Sequence, residues 1–208
     1  MKIKVCGMRD ADNIRAVEAL GVDIMGFIFW PGSGRYVDSQ PVYLPESCLR
    51  AGVFVDAAPR DILAVAKAYR LDCIQFHGHE TPEYIAYLRK QTDRLKADMR
   101  FIKSIPVTTA EDLGQTQQFE NVCDLFLFDT KGKLPGGNGS QFDWGLLQDY
   151  TGRLPFLLSG GIGPCDAERI KAFRAPGCIG IDLNSRFETA PGMKDAESLK
   201  TFIDKIRQ

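Results

Sequence analysis

Of six cysteines, at positions 6, 48, 73, 123, 165 and 178, Cys6 is the one placed to do chemistry. It closes the short apolar run from Lys2 to Cys6, and Gly7 then lets the chain turn. In an extended strand Lys4 shares the face of Cys6, roughly 6.6 Å along it. An unperturbed thiol is only about 3% ionised at pH 7. A nearby ammonium favours the thiolate, so the expectation is that Lys4 activates Cys6 as a base. The other five cysteines read as small buried hydrophobes. Asp129 ends another apolar run, Asp124 to Asp129, and opens a glycine-rich loop with Gly-Gly-Asn-Gly at 136–139. A carboxyl at a strand end is a candidate general acid or base. The loop reads as a segment able to close over a ligand.

Other residues suit ligand binding. Gly160 and Gly161 follow the run Leu157-Leu-Ser159 and allow close backbone approach to an anion. With Asn184 and Ser185, just past Asp182, they form the candidate phosphate site, and Arg186 adds charge. Arg35 is the only cation of the loop 29–40 and suits bidentate recognition of a carboxylate. His77 and His79 are the only histidines, and no Cys-x-x-Cys occurs, so no metal site is expected. His79 and Glu80 read as solvated turn residues.

The elements that must position these residues alternate. Strand patterns lie at 2–6, 23–29, 50–56, 72–77, 100–105, 124–128, 155–158 and 177–181. Helix patterns lie near 10–20, 42–48, 59–70, 82–91, 109–120, 145–150, 165–173 and 195–207, the second and sixth short. Pro59 and Pro82 suit first-turn positions, and Thr81 an N-cap. Strands alternating with helices imply a parallel sheet.

An internal echo closes that sheet. The segments beginning at Asp23, Asp72, Asp124 and Gly177 align, with starts 49, 52 and 53 residues apart. Two strand–helix units per period, sustained to the end, predict an α/β fold of the (β/α)8 TIM-barrel type, a single domain over 1–208. Side chains two apart share a face. If the second position of each echo points inward, Ile24, Cys73, Leu125 and Cys178 form an apolar layer. Ile28, His77, Asp129 and Asp182 then form a mostly polar layer at the C-terminal mouth, with Gln75 one step below His77.

Composition narrows the classes. Lys plus Arg total 26 and Asp plus Glu 27, so neither nucleic acid nor an anionic membrane is an expected partner. No apolar run approaches the roughly 18 residues of a membrane span. The first ten residues lack the apolar stretch of a signal peptide, so a cytoplasmic protein is expected. A monomer is preferred over a homodimer, since no apolar surface patch can be assigned.

Taken together, the motifs resemble the phosphoribosylanthranilate isomerase family over essentially the whole chain. The segments carrying the resemblance are Lys4–Arg9, 26–37, 51–56, 75–78, 128–130, 136–139, 158–162, 182–188 and 192–195. Gly34 and Arg186 depart from the family pattern, where a proline and a glycine are common. The resemblance implies an Amadori rearrangement of a phosphosugar–anthranilate conjugate, without metal or redox cofactor. It implies that Asp129 is the general acid at the ribose ring oxygen and Cys6 the base at C2. Arg35 would hold the anthranilate carboxylate. Gln75, His77 and Asp182 would line the substrate pocket, and Gly160, Gly161, Asn184 and Ser185 would bind phosphate. Other phosphate-binding barrels, such as indole-glycerol-phosphate synthase or a pentose-phosphate epimerase, are the alternative enzymes. A non-catalytic metabolite-binding barrel is the alternative of another class.

Overall fold

Apolar runs of four to seven residues, too short for helices and flanked by turn formers, fold as the expected strands. A computed structural model describes residues 1–92, 96, 98–130 and 141–208. Its strands are β1 (Lys2–Cys6), β2 (Ile24–Ile28), β3 (Leu49–Phe54), β4 (Cys73–Phe76), β5 (Arg100–Val107), β6 (Leu125–Thr130), β7 (Phe156–Leu158) and β8 (Cys178–Leu183). Each pairs in parallel with the next, and β8 returns to β1, so the sheet is a closed barrel in sequence order. Gly-Gly-Asn-Gly at 136–139 lies outside the described residues.

Helices cover the barrel: α1 (Ala11–Glu18), α2 (Pro59–Ala68), α3 (Pro82–Thr92), α4 (Ala167–Ala172) and α5 (Ala196–Arg207). Asp10 caps α1 by accepting from the amides of Asp12 and Asn13. Thr81 accepts from the Tyr84 amide at the start of α3, as expected. Four helix expectations need correction. Residues 42–48 form no helix: Pro41 and Pro45 disfavour it. There the Glu18 carboxylate accepts from the amides of Glu46 and Ser47 and fixes an irregular loop. The segments after β5 and β6 are 3₁₀ turns, Ala110–Phe119 and Trp144–Asp149. Segment 165–173 is split, with a 3₁₀ turn at Pro164–Asp166 leading into α4. An antiparallel ribbon, β9 (Glu188–Ala190) with β10 (Met193–Lys194), was not expected and lies between β8 and α5.

Alternation along the strands makes two cores. Outward residues, among them Phe27, Phe76, Phe101, Phe126, Phe128 and Phe156, pack with the helices. Their rings meet edge to face, as Phe128 and Phe156 do at 4.8 Å between centroids. Truncating one such ring costs about 3–5 kcal/mol. Ile24, Ala51, Cys73, Ile102, Leu125, Leu127 and Leu157 fill the inside of the barrel. The expected inner layer therefore forms, except at Cys178. Phe156 pairs with Cys178, but Leu157 pairs with Gly180, so the register slips by one residue. A slip of one turns a side chain to the opposite face, and Cys178 packs against the outer core. The cysteine expectation is corrected too: Cys165 is exposed, and Cys48 and Cys178 are only half-buried.

Among the described residues no helix is long and apolar enough to cross a membrane. Among the same residues, no group of three or more His, Cys, Asp or Glu side chains could hold a metal ion.

Candidate active site

The end of β1 is the first anchor. Cys6 lies opposite Gly26 of β2, and a Cβ at Gly26 would come within 2.7 Å of the Cys6 sulfur. Only glycine leaves the thiol that space. Lys4, wholly buried, points into the barrel and its Nζ lies 2.8 Å from Asp182 Oδ1. Burial alone would lower the Lys4 pKa, but Asp182 and Cys6 more than reverse this, and the ammonium is held firmly charged. For Cys6, burial pushes the thiol up, Lys4 and Lys194 pull it down, and Asp182 pushes it up again. The net direction is upward. Lys4 thus favours the thiolate, as expected, but in the free protein burial outweighs it.

The end of β6 is the second anchor. Asp129 Oδ1 accepts from the Thr130 amide at 2.8 Å. Burial, then repulsion from Asp182, raise the Asp129 carboxyl to about 6. Next to it stands His77, with Nε2 3.6 Å from Asp129 Oδ2. Burial and the positive charges of Lys103 and Lys4 push His77 down to about 3, so it is neutral. Its Nδ1 faces the Gln75 amide nitrogen at 3.0 Å and the Ser104 hydroxyl at 2.9 Å. With Nδ1 accepting from Gln75, the ring proton sits on Nε2, facing Asp129.

Loops complete the mouth. Arg35 reaches over β1. Gly7 has φ +81°, and a Cβ there would come within 2.7 Å of Arg35 Cδ and 2.9 Å of Asn184 Oδ1. The Arg35 guanidinium pairs with Glu188 at 2.6 Å. Glu188 also pairs with Lys194, whose Nζ donates to Asn184 Oδ1 at 2.8 Å. At β7 the Ser159 hydroxyl donates to Asp182 Oδ2 at 3.3 Å. Gly160, at φ +90°, likewise has no room for a side chain: a Cβ would meet Thr130 Oγ1 at 2.3 Å.

Cys6, Asp129, His77, Gln75 and Asp182 all sit on inward positions of one barrel end, with Arg35 above β1. Gly160 and Gly161 follow β7, and Asn184 and Ser185 follow β8. Glu80 is corrected: it is buried, accepts from the Asp56 and Gly78 amides, and pairs with Lys103 at 3.2 Å. His79 is exposed, as expected. Sequence reasoning gave no role to Glu188, Lys194, Ser104 or Ser159. Lys194 precedes Asp195, which caps α5, and reads as ordinary helix-flanking polarity. Only the unexpected ribbon brings it under Arg35.

The family described as N-(5'phosphoribosyl)anthranilate (PRA) isomerase matches residues 3–205. An N-(5'-phosphoribosyl)anthranilate isomerase of Phocaeicola vulgatus is 48% identical over 209 residues, covering 100% of this chain and 98% of the relative. One of Rhodospirillum rubrum is 34% identical over 219 residues, covering 99% and 97%. A solved phosphoribosyl anthranilate isomerase of Thermotoga maritima superposes with TM-score 0.83 at 30% identity, covering 100% of this chain and 98% of that one. Another solved isomerase of this name, in complex with reduced 1-(o-carboxyphenylamino)-1-deoxyribulose 5-phosphate, superposes with TM-score 0.81 at 29% identity, with the same coverage.

Proposed function

Because the chain belongs to the N-(5'-phosphoribosyl)anthranilate isomerase family, we propose that Cys6 and Asp129 are the base and acid of that isomerisation. The activity is the Amadori rearrangement of N-(5-phosphoribosyl)anthranilate to 1-(2-carboxyphenylamino)-1-deoxyribulose 5-phosphate, a step of tryptophan biosynthesis. The family match sets aside the other barrel enzymes and the non-catalytic barrel.

The reaction opens the sugar ring and relocates protons, with no group lost and no external electron carrier. Asp129 protonates the ribose ring oxygen, and the C1–O bond opens as the anthranilate nitrogen pushes in to form a Schiff base. Cys6 removes the C2 proton, giving an enolamine that tautomerises to the ketone. One observation carries this reading: Asp129 is mostly buried, 3.6 Å from a neutral histidine, with its carboxyl raised to about 6. That lets it carry a proton in the range where a general acid works. Cys6 stands at the end of β1 between the ammonium groups of Lys4 and Lys194, which favour its thiolate.

Binding is proposed as follows. Arg35 takes the anthranilate carboxylate, and His77, Gln75 and Asp182 line the sugar pocket. The backbone of Gly160, Gly161, Asn184 and Ser185 receives the phosphate. The proposed assembly is a monomer. Among the described residues the exposed large hydrophobics, Met1, Val42, Tyr87 and Ile179, are far apart in sequence, and sedimentation velocity checks the state. A cytoplasmic location fits a step in amino-acid biosynthesis.

Freshly prepared N-(5-phosphoribosyl)anthranilate is fluorescent and decays on its own. The purified protein is expected to accelerate that loss, with the deoxyribulose product forming in step. Decay at the spontaneous rate rejects the proposal.

A further inference from the structure

Glu188 opens β9, outside the barrel strands, and the reaction above gives it no role. Its side chain is 5% exposed, yet it gathers four donors. Arg35 Nε lies 2.9 Å from Oε1 and 3.0 Å from Oε2, and Arg35 Nη2 lies 2.6 Å from Oε2. The Gly192 amide donates to Oε1 at 3.1 Å, and the wholly buried Lys194 ammonium donates to the same oxygen. Arg35 and Lys194 hold the Glu188 carboxyl below its ordinary range against the opposing push of burial.

A guanidinium offers five N–H groups in a rigid plane. Glu188 takes the Nε–Nη2 edge. Nη1 makes no hydrogen bond among the described residues, so the Nη1–Nη2 edge stays available. Holding one edge fixes the direction of the other. The charges agree: two cations share one carboxylate, leaving the cluster one positive charge in excess, at a partly exposed arginine. That excess matches one ligand carboxylate. Gly7 clears the path of the Arg35 stem beside Cys6.

We propose that Glu188 is a positioning residue that grips Arg35 by one edge of its guanidinium and turns the other edge to the ring carboxylate of the substrate. This rests on the reading of Arg35 given above. Lys194, clamped by Glu188 and Asn184, is the fixed post to which the grip is tied.

The test compares two ligands by titration calorimetry: reduced 1-(o-carboxyphenylamino)-1-deoxyribulose 5-phosphate and its counterpart without the ring carboxyl. The wild type is expected to prefer the carboxylated compound by about tenfold or more, the scale of a bidentate ion pair. In E188Q, which keeps shape but not charge, that preference falls by about tenfold, and the carboxyl-free compound binds within about twofold of wild type. R35K loses the preference too, and E188Q/R35K loses no more than R35K alone. Should E188Q not fold, E188D keeps the charge with a shorter reach and is expected to lose most of the preference. Equal loss for both ligands means a merely structural role and overturns the proposal. Tighter binding of the carboxylated ligand to E188Q makes Glu188 a competitor and also overturns it. A wild type with no preference removes the Arg35 reading and the proposal with it, while the Cys6–Asp129 chemistry stands.

Discussion

The two sides of the barrel mouth are built from different materials. Around Cys6 the neighbours are full charges: Lys4 with Asp182 below, and Lys194 with Glu188 and Arg35 above. Around Asp129 the nearest partners are neutral dipoles, His77, Ser159 and the Thr130 amide, with Gln75 and Ser104 behind His77. A proton acceptor that must become an anion is bracketed by cations. A proton donor that must start neutral sits where an anion is poorly solvated. The contrast teaches that one barrel end can run acid and base chemistry by changing only what surrounds each group. Asp182 touches both sides, since it pairs with Lys4 and repels Asp129.

Deleting either function breaks the contrast most severely. C6S and D129N are each expected to lower kcat/KM by about 10²–10⁴-fold, the usual weight of one acid or base. Both should keep the affinity for the reduced product analogue within a few fold. If D129N retained near-full activity, the neutral side would hold no acid.

Removing a cation from the charged side has the next largest effect. Lys4→Met takes away the nearest attraction on the thiolate and leaves Asp182 buried without its partner. The Cys6 thiol is expected to move further up, read as the alkaline shift of the thiolate absorbance that K4M shows and K4M/C6S lacks. Stability should fall by about 3 kcal/mol in urea unfolding. An unmoved thiol sinks the idea that Lys4 supports the base.

The gentlest probe is pH, and its sign follows from counting protons. In the free protein Asp129 titrates near 6 and Cys6 above the ordinary thiol value. Between those limits the pair holds one proton. The reactive form, thiolate with carboxylic acid, differs from the resting form only in where that proton sits, so pH does not change their ratio. Below about 6 a second proton removes the base, and above the thiol value the acid is lost. The kcat/KM profile is therefore expected to rise through about 6 and stay level until alkaline pH. A profile that falls through 6 would contradict this assignment.

The barrel was legible because it repeats. Four echoes at nearly constant spacing left few other closures, and the strand phase placed Cys6, Gln75, His77, Asp129 and Asp182 on one end. Where local rules competed, legibility failed. Pro41 and Pro45 overrode an apolar pattern, and a register slip at Phe156 turned Cys178 outward. Glu80 looked solvated because its partner Lys103 is a strand away, on β5. Glu188 and Lys194 fell within segments that carried the resemblance but were given no role, because their meaning comes from a ribbon only seven residues long, whose partners Arg35 and Asn13 lie more than 150 residues earlier in the chain.

That distance has a consequence for how the protein is made. Asn13 of α1 exchanges two hydrogen bonds with the backbone of Lys194, 2.8 Å each, and β8 closes the barrel on β1. The ribosome delivers Cys6 and Arg35 first, and Asp182, Glu188 and Lys194 among the last. A chain that stopped before Asp182 would carry Cys6 beside Lys4 but without Lys194, and Arg35 without Glu188. The charge set around Cys6 and Arg35 is therefore complete only once β8 has closed on β1 and the ribbon has docked on α1.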